Sequence, residues 1–201
     1  MSAFLRDLRG LNVLTVNPED SEGQFLITHL RRIGCRVNSV WPIPDTLPPA
    51  VDVVFLSIHD EALPAVRKLL QSVKDAGPTM IAIVNYENPA ILQIVLESRF
   101  FAVIERPLRA FGLLANLAIA RTLWKQYQQT LKDSHRYKRR ALGDQAVARA
   151  KVILMASGLD ESQAHNEIRT RAQAARMPIE AFAESIVSGN AVSSEKAGAM
   201  R

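Results

Sequence analysis

No proline occurs between Pro107 and Pro178, and the first part of that interval is rich in Leu, Ala, Arg, Lys and Gln, the side chains that lose least on entering a helix. One helix is expected to start near Leu108 and run past Met155. Roughly 45 residues at 1.5 Å each would reach about 70 Å, more than one small domain can support, so something must pack along it. Leu113, Leu117, Ala120, Trp124, Tyr127, Leu131, Ser134, Lys138, Ala141, Gln145, Ala148 and Val152 follow the alternating three-four spacing of a coiled-coil seam. Its apolar part makes Leu113, Leu117, Trp124, Tyr127 and Leu131 the candidate dimerisation residues. Leu113 to Ala120 should also cover an upstream sheet, with pairing between two copies taking over near Trp124.

Upstream of Pro107, β-prone runs at residues 11–16, 36–40, 51–58, 80–84 and 101–104 alternate with helical patterns. The first helix runs through Phe25, Leu26, Leu30 and Ile33 to a stop at Gly34; others lie near residues 63–73 and 89–97. The nearly unbroken apolar character of 51–56 and 80–84 suits central parallel strands covered on both faces. An α/β, doubly wound five-stranded sheet is the natural result. This order resembles the receiver domain of response regulators. That family holds Mg²⁺ with an acidic pair after the first strand, phosphorylates an Asp after the third and places a Lys before Pro after the fifth. Here those positions are Asn17, Ser57 and Arg106, so the resemblance implies a receiver-like domain with a degenerate site, because Mg²⁺ wants carboxylate oxygen and the phosphoryl group wants a positioned nucleophile. Glu19 and Asp20 read as the polar start of a helix. His59, Asp60 and Glu61 are adjacent rather than three or four apart and read as a solvated loop or helix N-terminus, not a metal site. Trp41, among Pro42, Pro44, Pro48 and Pro49, is expected to tuck into the domain edge, with contact to a partner as its other role.

A hydrophobic share of 48% and a charged share of 22% over 201 residues match soluble globular averages and suit one medium domain plus a smaller unit. Cys35 is alone, which excludes an internal disulfide framework and reads as a small buried hydrophobe. No apolar run reaches the roughly 18 residues of a membrane span, and a cytoplasmic protein with no membrane partner is expected. One Cys and four scattered His offer no nucleophile, base and orienting group together; neither an enzyme nor a cofactor is expected. The net charge is +5, and Arg136, Lys138, Arg139 and Arg140 form the densest basic run, ordinarily a solvated helix face but also suited to a secondary phosphate contact.

The last sixty residues hold three helical segments: the end of the long helix, a second from 161 to about 176 and a third from 178 to about 187. Gly158 is a helix stop, Asp160 with Gln163 is a capping-box start, and Pro178 suits a first helical position. Ile153, Leu154, Leu159, Ala164, Ile168, Phe182, Ala183 and Ile186 supply helix-spaced apolar faces for a small bundle.

The string of Ala150, Lys151, Ile153, Leu154, Met155, Gly158, Leu159, Glu161, Ala164, Ile168, Arg169, Ala172, Pro178, Ala183 and Ile186 resembles the ANTAR domain in order and spacing. It departs from that pattern at His165, where an aromatic is usual, at Gln173 for Met and at Met177 for a basic residue. The order of parts, with Arg32 to Cys35, Trp41, Pro42, Pro44 and residues 51–58, also resembles antiterminators of amidase operons. The resemblance implies a protein that binds paired stem-loops of a leader mRNA, prevents a terminator hairpin from forming, pairs with itself, and is held inactive by an amide-sensing negative regulator of periplasmic-binding-protein-like fold. The expected organisation is a pseudo-receiver domain (1–112), a coiled-coil dimerisation helix (113–142), a C-terminal three-helix ANTAR module (143–190) and a disordered tail (191–201). A hairpin exposes unstacked bases in its loop and phosphates along its stem. The candidate RNA contacts are therefore Arg149, Lys151, Arg169 and Arg171 for phosphate or base edges, Ala150 and Ala172 for close approach of an extruded base, and His165 for stacking. The alternative is a phosphorylation-switched response regulator that binds DNA.

Overall fold

The computed structural model describes residues 7–85 and 89–189; the expected tail at 191–201 lies outside them. The chain divides into two compact units, Met1–Gln129 and Thr130–Arg201.

In the first unit, β1 (Asn12–Val16), β2 (Arg36–Val40), β3 (Val53–Ile58), β4 (Thr79–Val84) and β5 (Phe100–Glu105) form one all-parallel sheet in the order β2-β1-β3-β4-β5. This is the doubly wound arrangement read from the sequence. The apolar runs take the centre: every residue of β3 is buried, and five of the six in β4, whereas β2 and β5 carry exposed residues at the edges. Between them come α1 (Ser21–Ile33), α2 (Leu63–Ser72) and α3 (Pro89–Glu97). The side chain of Asp20 caps α1 by accepting from the Gly23 N–H at 2.7 Å, and Gly34, at φ +104°, ends it in a conformation that costs glycine little.

Strand alternation sorts the core into two layers. On one face Val13, Val53, Phe55, Ile81 and Ile83 pack with Leu26 and Leu30 of α1. On the other, Leu14, Val54, Leu56 and Ala82 pack with Val66 and Leu69 of α2 and Ile91 and Ile94 of α3. Each fully buried Leu, Ile, Val or Phe stabilises the fold by about 1.5–3 kcal/mol. Cys35 is buried with them, its Sγ 3.4 Å from the Leu8 carbonyl oxygen, and burial pushes its thiol pKa up to about 11.

The long helix α4 runs unbroken over Ala110–Ala156. Its start corrects the expected seam and the expected domain end at 112. Leu113, Leu117 and Ala120 have no exposed surface and belong to the core layer of α1, so Leu113 and Leu117 are not free to pair two copies. Farther along, Trp124 Nε1 donates to the Gly77 carbonyl at 2.8 Å, Arg121 donates to Thr79 Oγ1 at 3.0 Å, and Gln128 donates to the Asp75 carbonyl at 3.2 Å. Tyr127 packs on Phe101 with ring centroids 5.8 Å apart. Trp124 and Tyr127 are thus half-buried against their own domain, which reaches Gln129. The three-four spacing is common to a helix that covers a sheet and one that joins a coiled coil, and here the sheet, already on the chain, takes the first part.

In the second unit α4 packs with α5 (Glu161–Ala174) and α6 (Ile179–Val187). Its core is Ala146, Ala150, Ile168, Ala183 and Ile186, lined by Val147, Leu154, Ile179 and Phe182. Small residues let α4 and α6 approach closely: a Cβ on Gly143 would stand 2.7 Å from Glu180 Cγ. The capping box forms in full, Gln163 N donating to Asp160 Oδ1 at 2.8 Å and Asp160 N to Gln163 Oε1 at 3.0 Å. Pro178 is the N-cap of α6 rather than its first helical residue. Helix α5 ends at Ala174, before the expected 176, because Arg176 turns left-handed at φ +54° and Met177 N bonds back to the Ala172 carbonyl at 2.9 Å. Ile153, expected in this core, is 42% exposed.

Candidate nucleic-acid interface and degenerate receiver site

At the carboxyl ends of β1, β3 and β5 the structure brings together Asn17, Ser57 and Arg106, three positions far apart in sequence. Arg106 Nη2 donates to Asn17 Oδ1 at 2.6 Å and to Ser57 Oγ at 3.0 Å. Its Nη1 pairs with Glu22 Oε2 at 2.6 Å and, more distantly, with Asp20 Oδ2 at 3.4 Å. The second oxygen of Glu22 accepts from the Leu108 N–H at 3.2 Å. Glu22 was not singled out in the sequence; its one signal is its place in the first turn after β1, where a helix favours a carboxylate.

The receiver family implies Mg²⁺ and a phosphoryl group here, and the residues do not fit them. Asn17 and Ser57 are buried and neutral, and the guanidinium that bonds both also holds the nearby Glu22 and Asp20 carboxylates, so a divalent cation would have to displace a fixed positive charge. Ser57 Oγ also lies 3.2 Å from His59 Nε2, and His59 Nδ1 lies 3.4 Å from Asn85 Nδ2. Burial and the nearby Arg106 charge lower the His59 pKa below its ordinary 6.5, partly offset by Asp20, Glu61 and Asp60. Trp41 sets its ring edge-on to His59, centroids 6.1 Å apart, and stays 39% exposed. Among the described residues no cluster of His, Cys, Asp or Glu could hold a metal ion.

In the second unit the candidate RNA contacts separate into two groups. Ala164, Ile168 and Ala172 recur every four residues on the buried face of α5, and Ala150 is buried on α4. Ala150 and Ala172 are therefore packing residues, which corrects their expected role beside an extruded base: neither has surface for a ligand to approach. Arg149, His165 and Arg169 are exposed, with His165 and Arg169 four apart on one face of α5. Arg149 and Arg169 form no ion pair among the described residues. Lys151 reaches Glu161 Oε1 at 2.5 Å, tying α4 to the start of α5; that hydrogen bond, and next the ammonium charge, hold the Glu161 carboxyl below its ordinary range. Arg171 pairs with Glu167 one turn earlier at 2.6 Å. Arg136, Lys138, Arg139 and Arg140 are exposed on α4. Ala141, Gln145, Ala148 and Val152 are exposed on this part of the helix. No helix among the described residues is long and apolar enough to cross a membrane.

Two family models match the chain in sequence order: the N-terminal domain of AmiR over residues 11–121 and the ANTAR domain over residues 136–187. An aliphatic amidase regulator of Pseudomonas aeruginosa is 33% identical over 192 residues, covering 92% of this chain and 95% of its own length. Among solved structures, NtrX from Brucella abortus is similar with a TM-score of 0.50 and 17% identity over 61% of this chain; the match spans only 29% of NtrX. A response regulator from Thermotoga maritima is similar with a TM-score of 0.44 and 15% identity, covering 56% of this chain and 98% of that one.

Proposed function

The chain belongs to the AmiR family of ANTAR-domain regulators, and on that premise we propose that it is a transcription antiterminator that binds stem-loops of a leader mRNA so that the terminator hairpin does not form. The observation that carries this reading is the ANTAR match over residues 136–187, on a bundle whose packed face holds Ala150, Ile168 and Ala172 and whose exposed surface presents Arg149, His165 and Arg169. Guanidinium groups meet stem phosphates and base edges, and an imidazole stacks on an unpaired base. Lys151 and Arg171 contribute after exchanging Glu161 and Glu167 for phosphate, an exchange that costs little because both pairs are at least partly solvated.

Control falls to a partner protein rather than to phosphate. The support is the Arg106 guanidinium seated among Asn17, Ser57 and Glu22, together with kinship to a relative named as an amidase regulator. The partner is a negative regulator of periplasmic-binding-protein-like fold that releases this chain when it binds an aliphatic amide.

Two copies associate through the exposed side of α4. With Leu113 and Leu117 inside the domain, the free apolar stripe is Phe111, Ile119 and Leu123, exposed by 83%, 55% and 43%; Leu131 and Val152 follow farther along the helix.

The test is binding of the purified chain to a two-hairpin leader RNA across a salt series, with duplex DNA of equal charge as control. Selective RNA binding that weakens by ~0.7 log units per phosphate contact for each log unit of salt is expected. Equal or stronger binding to DNA would replace this reading with that of a DNA-binding response regulator.

A further inference from the structure

The degenerate site lies at the carboxyl ends of the strands; at their opposite, amino ends the first unit holds a cavity of about 400 Å³. Three aromatic side chains line it: Phe101 at the start of β5, and Trp124 and Tyr127 on α4. Two of the rings are held in place before any ligand arrives. Trp124 is fixed by its bond to the Gly77 carbonyl and by the Arg121 guanidinium stacked 4.5 Å from its ring centroid. Tyr127 is held between Phe101 and the Arg99 guanidinium, which lies 5.7 Å from its centroid.

Arg67 on α2 and Lys74 just beyond its end line the same cavity. Both are exposed, and neither forms an ion pair among the described residues. The two carboxylates on the lining are engaged: Asp75 with Arg99, and Glu97 with the Gln93 amide at 2.7 Å. Glu97 keeps its charge beside that neutral amide, so Arg67, Lys74 and Arg99 against Asp75 and Glu97 leave the lining with a net charge of +1. Rigid aromatic walls beside two uncommitted cations suit a planar ring that carries an anionic group, since the rings stack it at small entropic cost and the cations bond its oxygens. The volume falls within the roughly 300–1,000 Å³ of small-molecule sites.

We propose that this cavity binds a mononucleotide, its base against Trp124 beside the edge of Tyr127 and its phosphate on Arg67 and Lys74. Because both rings belong to α4, an occupant would fasten the start of the long helix to the amino ends of β4 and β5, giving the first unit an input separate from the degenerate site.

The experiment uses the full chain carrying Trp41→Phe, which leaves Trp124 as its one tryptophan, and follows its fluorescence while adenosine 5′-monophosphate is added. A saturable change is expected, with the dissociation constant raised about tenfold or more in the Arg67→Gln/Lys74→Gln variant and the unfolding midpoint unchanged. No saturable change at millimolar nucleotide would overturn the proposal, as would equal binding by the double variant. Displacement of the nucleotide by oligoadenylate at far lower concentration would assign the cavity to an RNA strand and overturn it equally.

Discussion

The guanidinium of Arg106 holds Oδ1 of Asn17 at 2.6 Å, across 89 positions of sequence. That bond ties the guanidinium standing at the receiver lysine's position directly to the residue standing at the receiver's acidic pair. The same group reaches Ser57 and Glu22, so the end of the sheet is closed by an internal network in place of an exchangeable ion. Removing the arginine leaves the buried Asn17 Oδ1 without its partner and the partly buried Glu22 carboxylate without its cation, which costs more than the bond itself contributes.

Arg106→Ala is therefore expected to lower stability by about 2 kcal/mol, through the unpaired Glu22 carboxylate and the buried Asn17 oxygen. The check is urea unfolding, where the midpoint should fall at constant slope. Ser57→Asp alone should remain unlabelled by a small phosphodonor, because Asn17 supplies no carboxylate to hold Mg²⁺ beside the new one; strong labelling would show that the site still gathers the ion.

Arg149→Ala and Arg169→Ala are expected to weaken hairpin binding by about 1–3 kcal/mol each while far-ultraviolet circular dichroism and the unfolding midpoint stay constant. Ala150→Leu should behave oppositely. It overpacks the bundle core beside Ile168 and Ala183, costs about 1–3 kcal/mol of stability, and loses binding only through unfolding. An Ala150→Leu variant that keeps its stability yet loses RNA would restore this position to the interface.

Ile119→Asp with Leu123→Asp should turn a dimer into a monomer in sedimentation velocity without lowering the unfolding midpoint, since both side chains face solvent in the single chain. Leu117→Ala should cost about 2–5 kcal/mol, because its side chain is fully buried in the sheet-covering layer. If Leu117→Ala separates the dimer at unchanged stability, the seam read from heptad spacing is correct and the stripe on Ile119 and Leu123 is not.

His59 makes stability fall as the solution is acidified. Its folded pKa lies below 6.5, so the unfolded chain binds more protons as pH drops through that value, and the stability present above it is progressively lost. His29 is shifted the same way, by burial and then by Arg32, and remains as background. His59→Gln should reduce the difference in melting temperature between pH 7.5 and pH 5.5; an unchanged difference would remove His59 from this role.

The sequence determined the elements by itself where one residue or one period fixes one structure. The unbroken apolar runs of β3 and β4 require cover on both faces, Gly34 and Gly158 end helices at positive φ, and Asp160 with Gln163 starts α5. The proline-free stretch after Pro107 carries one long helix up to Gly158, and the absence of carboxylates at Asn17 and Ser57 is visible in the letters alone. Only the tertiary structure decided which surface each helix residue faces. The three-four spacing of Leu113, Leu117 and Trp124 is equally good for a coiled coil and for a sheet cover, and the sheet wins because packing within the chain needs no second molecule. Likewise the ANTAR-like string does not separate Ala150 and Ala172, which bury against neighbouring helices, from Arg169, which stays in solvent. The bonds from Arg106 to Glu22 and from Trp124 to Gly77 bridge 84 and 47 positions, and no local pattern encodes such pairings: they follow from the spatial order of the strands in the sheet and from the packing of α4 on it.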